Sequence, residues 1–212
     1  MVAIHTQLTT QAEIKINAPL FDGGRCATED MIDSLVANDV GNNPSIRQYG
    51  IVDFYTGSPR TAAYTGANCD DYKNHIVGPN CSIQGNILRW QILDSMEARF
   101  PDPKRGELTC KLMAALQGAK VIGADTRCLD DGVSSLSSFL RVAQADDPAN
   151  DLYLDLNVPS TPDGIDPIDS LQSLIICGAA AWHLTGIMVK IMPCSTFIPI
   201  LLRDIFISTC AI

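Results

Sequence analysis

Apolar and polar positions alternate with a period of two in several short runs of this chain and with a helical period in several others. Met1–Gln7 alternates weakly and suits a strand. Thr28 is placed to cap a helix running to about Asn38, with Glu29 and Asp30 at the positive end of its dipole. Met31, Ile32, Leu35 and Val36 form its apolar face, and the turn residues of Asp39–Pro44 follow as a loop. Tyr49–Phe54 and Arg60–Thr65 are β-type runs joined by TGSP, a hairpin signal, and Cys81–Gln84 is a short strand. Leu88–Phe100 has Leu88, Ile92 and Met96 four residues apart and ends at Pro101. Glu107–Gln117 reads as a second helix closed by Gly118. Ser135–Val142 and Leu152–Val158 alternate as strands, and Asp166 caps a helix with Pro167 at its first position and Ile168 and Leu171 facing inward. Strands in runs and helices in runs predict a layered α+β domain.

Composition narrows the function classes. In 212 residues, 46% are apolar and 18% charged, enough to bury a core. The net charge of −9 argues against a nucleic-acid partner, because phosphate binding needs a basic surface. Eight cysteines include no C-x-x-C pair, so no structural zinc site is expected, nor any other metal or cofactor. Their number leans towards an exported protein, although MVAIHTQLTT has neither the basic nor the apolar region of a signal peptide. From Leu171 onward the only charges are Lys190, Arg203 and Asp204. Leu171–Val189 is a 19-residue run without a formal charge, close to the roughly 20 that span a bilayer. Gln172, Ser173 and His183 within it, and Pro193 and Pro199 beyond it, weigh against a membrane span. A membrane anchor, a buried helix with an aggregation-prone tail, and residues foreign to the ancestral fold remain the three readings.

An ordered set of motifs adds a resemblance. IHTQ (Ile4–Gln7), the acidic helix Glu29–Val36, RQYGIVD (Arg47–Asp53), AAYTGANC (Ala62–Cys69), His75, IQGNIL (Ile83–Leu88), GADTRC (Gly123–Cys128) and SSLSSFLRV (Ser134–Val142) occur in sequence. Together they resemble an uncharacterised bacterial family placed in the N-terminal nucleophile (Ntn) hydrolase superfamily. The resemblance implies a four-layer αββα sandwich over residues 1–174, with 175–212 an apolar segment of unknown role. It also implies an ancestral chemistry of amide or peptide hydrolysis. Such enzymes use a first-residue Thr, Ser or Cys whose own α-amino group is the base. This chain starts Met1-Val2, and two strands that precede IHTQ in the family are missing. The expectation is therefore a fold incomplete at its N-terminus, inactive as an Ntn amidohydrolase. The exposed strand edges this leaves would favour homo-oligomers. The alternatives are a non-catalytic binding module for a small molecule, peptide or cell-wall fragment, and a vestigial gene fragment.

The candidate chemistry sits in six places. Thr6 and Gln7 lie on the first strand, near the pocket of the implied fold. Gln84, Gly85 and Asn86 follow a strand, and their amides suit an oxyanion, whereas turn chemistry with Asn86 as a helix cap explains them equally well. His75 in a loop is a candidate general base, though a lone loop histidine is more often merely solvated. Asp125 and Arg127 suggest an ion pair, as a surface pair contributing about 0–1 kcal/mol. Asp146, Asp147, Asn150, Asp151 and Asp155 lack the EF-hand spacing and read as a solvated acidic loop. Cys69 and Cys128, in loops expected at one end of the sheets, are the first choice for a disulfide, with connectivity left open.

Overall fold

In Gln48–Val52 the odd-numbered Tyr49 and Ile51 enter a hydrophobic core, and the even-numbered residues face a second sheet. The computed structural model describes residues 2–7, 27–55, 57–100, 107–144, 147–148, 151–175 and 205–208, with the backbone alone for 2–7, 54–55 and 205–208. Strands β1 (Val2–Gln7), β2 (Gln48–Tyr55) and β3 (Ser58–Thr65) form an antiparallel sheet in that order. The β2–β3 hairpin turns after Tyr55 pairs with Ser58, where TGSP predicts it. Helix α1 (Thr28–Ala37) covers one face, burying Met31, Ile32 and Leu35 against Tyr49, Ile51 and Ala62. Ala27, and not Thr28, takes the cap position of α1. The Asp30 carboxylate accepts from the Ala27 amide (3.3 Å), while Thr28 Oγ1 donates to Glu29 (3.1 Å).

Against the other face lies the hairpin of β4 (Asn74–Val77) and β5 (Ser82–Gly85). Behind it come α2 (Ile92–Arg99) and α3 (Leu108–Ala119), which bury Ile83, Leu88, Ile92, Met96, Leu112 and Leu116 together. The α2 start differs from the sequence expectation. Leu88 bridges to Asp125 as extended chain, and Gln91 adopts a left-handed φ of 70°, so the helix begins one turn later. Gly118 does not close α3; it sits inside the helix where α2 crosses. A Cβ there would lie 2.4 Å from the Ser95 carbonyl oxygen, so the close crossing requires glycine.

A third antiparallel sheet places β6 (Ser137–Val142) between β7 (Leu154–Val158) and β8 (Ile205–Ser208). Helix α4 (Pro167–Ser173) packs on it through Ile168 and Leu171. Its cap is the expected Asp166, whose Oδ1 accepts from Ile168 N (2.9 Å) while Oδ2 accepts from Ser134 N (2.8 Å). The order of elements is therefore α+β with small antiparallel sheets. Two observations bear on the C-terminal segment. Ile205–Ser208 does have a place, pairing with Leu140–Ser137 along the free edge of β6. The 19-residue apolar run lies mostly outside the described residues, and no described helix is long and apolar enough to cross a membrane.

Candidate functional site

Two kinds of interior result from this layering. The face of the first sheet towards α1 is hydrophobic. The face towards β4–β5 is largely polar or small, with Gln48 and Gly50 on β2, Thr61, Ala63 and Thr65 on β3, His75 on β4, and Ser82, Gln84 and Asn86 on or beside β5, while Val52 and Val77 stand at its Thr61–Ser82 end. A layer between sheets is ordinarily filled by apolar side chains, so this substitution marks the layer out.

Gln48 is its centre and is only 1% exposed. The two hydrogens on its Nε2 are shared among Thr65 Oγ1 (3.0 Å) and the carbonyls of Asn74 (3.2 Å) and Gly85 (3.0 Å), the last register pair of the β4–β5 ladder. Its Oε1 accepts from Asn86 Nδ2 (3.1 Å). One amide thus ties the two sheets together. Thr65 Oγ1 in turn lies 2.9 Å from His75 Nδ1. Where the threonine hydroxyl donates to Nδ1, the neutral imidazole carries its proton on Nε2. A hydrogen-bonded chain runs from Asn86 through Gln48 and Thr65 to His75.

Gln84 stands opposite His75 in the β4–β5 register. Its Oε1 accepts from Ser82 Oγ (2.9 Å), and its amide lies flat on Gly50, where an added Cβ would come within 2.4 Å of Oε1. Glycine at position 50 is what admits this side chain between the sheets.

Beside the layer is a strained turn. Ile87, directly after Asn86, has φ +57°, a conformation that β-branched residues rarely adopt. It is clamped by Ile87 N donating to Asp70 O (3.1 Å) and by Thr126 N (2.9 Å) and Thr126 Oγ1 (3.1 Å) donating to Ile87 O. Asp125 and Arg127 flank that Thr126 clamp. Asp125 is fully buried; its carboxylate accepts from Arg127 Nε (3.0 Å), from an Arg127 terminal nitrogen (2.8 Å) and from the Arg127 amide (3.0 Å). The hydrogen bond to Asp125 raises the Arg127 pKa above its ordinary value.

Several expectations are corrected here. His75 is on a strand, not in a loop, and burial pushes its imidazole below the ordinary value. Asn86 caps no helix, since its amide goes to Gln48. The unusual φ belongs to Ile87 rather than Gly85, and the Ile87 and Leu88 amides are already committed to Asp70 O and Tyr72 O. The Asp125–Arg127 pair is no surface pair, because its carboxylate is buried. Cys69 and Cys128 are not joined. Cys69 is a free, buried thiol that donates to Arg47 O (3.4 Å) and whose pKa is raised by desolvation, whereas Cys128, like Cys110, is in a disulfide. The register sets Gln7 opposite Gln48 and Thr6 opposite Tyr49, so Gln7 shares the Gln48 row and Thr6 does not; their side chains lie outside the described residues. In the acidic loop, Asp147 accepts from Gln144 N (2.7 Å) and Tyr153 N (2.6 Å) and Asp155 pairs with Arg141 (2.8 Å), while Asp146 and Asn150 lie outside the described residues. Among the described residues no group of three His, Cys, Asp or Glu could hold a metal ion.

Gln48 and Thr65 are the residues that sequence reasoning missed. Their signal was present: reading each strand as two faces puts Gln48 and Gly50 across from Thr65 and Ala63, opposite the apolar Tyr49, Ile51 and Ala62.

The lowered His75 pKa has a sign. The unfolded chain takes up the proton first, so the contribution of neutral His75 is present above its ordinary pKa of 6.5 and is lost as pH falls from there through the lowered folded-state pKa. Thr65, Gln48 and Gln84 around it carry no charge. Urea midpoints at about pH 7.5 and about pH 5.5 should fall further for the native protein than for a His75→Gln variant. Equal losses would remove His75 as the cause.

Comparison with known proteins agrees with this architecture. A profile described as a family of unknown function, DUF1028, matches residues 1–169. A crystal structure of a Silicibacter pomeroyi protein assigned to the same family is similar to this chain with a TM-score of 0.59 and 23% identity, covering 82% of this chain and 70% of that one. At that identity the likeness is one of fold. No curated protein matches the chain. With four-fifths of its length matched by the profile, the chain belongs to the DUF1028 family of unknown function.

Proposed function

We propose that this chain is a small-molecule-binding protein of Ntn-hydrolase-like architecture, and that its ligand enters the polar layer between the two sheets. The architecture is supported by the order α1, first sheet, β4–β5, α2–α3, which runs helix, sheet, sheet, helix. The binding reading is carried by one observation. The intersheet layer is built from hydrogen-bonding side chains held in fixed orientations where packing alone would favour apolar ones.

A second reading, hydrolysis, rests on the 2.9 Å separation of Thr65 Oγ1 and His75 Nδ1, a nucleophile-to-base distance. Against it, Thr65 Oγ1 also accepts from Gln48, which lowers its nucleophilicity, and no described residue orients His75 through Nε2.

Thermal-shift measurements with small amides, short peptides and cell-wall fragments, paired with hydrolysis assays on the same compounds, separate the two. One class should stabilise the protein saturably, by about 2.7 kcal/mol at roughly 100 times its dissociation constant, with no turnover. Gly50→Ala, which displaces Gln84, should weaken that effect. Turnover abolished by Thr65→Ala would make this a hydrolase and end the binding-only reading.

A further inference from the structure

Most side-chain donors in the intersheet layer are spent within the protein, and the exceptions are on His75 and Gln84. His75 Nδ1 is filled by the Thr65 hydroxyl, and Gln84 Oε1 by Ser82 Oγ. What is left is His75 Nε2–H and the Gln84 Nε2 amide hydrogens, to which no described residue offers an acceptor. The two side chains are register partners on β4 and β5, so they project side by side from one face, their β-carbons about 5 Å apart. Both are half-buried, so a ligand reaches them.

We propose that His75 and Gln84 form a paired hydrogen-bond donor for an uncharged carbonyl oxygen, such as that of an amide or peptide group. This rests on the intersheet layer being the binding site. The pair offers donors and no acceptor, so an ammonium, which only donates, gains nothing there. It carries no charge, and the cations nearby are taken: Arg47 by Asp39, Lys73 by Asp71 and Arg127 by Asp125. The net charge of −9 further disfavours a carboxylate. Burial lowers the imidazole pKa, which favours the neutral ring.

The test is NMR on the full, isotope-labelled chain, titrated with N-acetylglycine N-methylamide as the neutral probe and acetate as the charged one. His75 should be the Nε2–H tautomer before any probe is added. Its Nε2–H and the Gln84 side-chain amide resonances should shift saturably with the neutral amide and far less with acetate. Gln84→Met, which keeps the length and removes the donors, should weaken binding by roughly tenfold. An Nδ1–H tautomer, or acetate binding as tightly as the amide, would overturn the proposal. Saturable shifts confined to Gln48 and Asn86 would refute the donor pair and leave the intersheet site standing. No shift anywhere in the layer would remove both.

Discussion

Gln48→Leu is expected to lower the free energy of unfolding by about 3–5 kcal/mol, since several buried polar groups lose their partner at once. Leucine fills most of the volume, so the loss is not one of packing. The carbonyls of Asn74 and Gly85 lose the donor that spans the two sheets, and Thr65 loses the donor that orients it. Asn86, 7% exposed, loses its acceptor on Gln48. Each orphaned group costs about 1–3 kcal/mol, partly recovered where water enters. Urea unfolding of the native and Gln48→Leu proteins measures this directly. A midpoint change worth under about 1 kcal/mol would mean that the amide is peripheral to the fold. Gln48→Glu sharpens the test. Its carboxylate would face two carbonyl oxygens in a buried place, so the variant should be worst at neutral pH and recover as the pH falls and the group takes up a proton.

Arg127→Ala is expected to cost about 3 kcal/mol, more than Asp125→Asn, although the two remove the same ion pair. The asymmetry comes from burial. Arg127 keeps about a third of its side chain in solvent and can be hydrated alone, whereas the Asp125 side chain is fully buried. Removing arginine takes the charged partner from a buried carboxylate that keeps the backbone amide of residue 127; removing the charge from aspartate leaves a cation that reaches water. The Thr126 clamp on the strained Ile87 turn lies between these residues. Arg127→Ala should therefore also loosen the turn and speed amide exchange at Ile87 and Leu88. Equal destabilisation by the two substitutions would show that burial does not set the cost.

The sequence by itself determined the elements whose signal is local. The α1 face, the β2–β3 hairpin, the Asp166 cap with Pro167 after it, and the β6 and β7 runs are all written in residue spacing and cap chemistry. Side-chain periodicity and backbone hydrogen-bond satisfaction act within a few residues, so a short window suffices. The ordered motifs extended this to family membership. The tertiary structure decided what depends on partners distant in sequence. β4 has four residues, NHIV, and becomes a strand because β5 pairs with it, which placed His75 in the intersheet layer and not in a loop. Leu88 left the helical register because Asp125 bridges to it. Gly118, a plausible helix terminator by sequence, turned out to mark a helix crossing. The Cys69–Cys128 guess failed because thiol pairing depends on three-dimensional proximity, to which loop order is a poor guide. The site itself was half legible. Gln84, Asn86 and His75 stand out as polar residues, but Gln48 acquires its meaning only when four segments, spread from Gln48 to Asn86, converge on one side-chain amide.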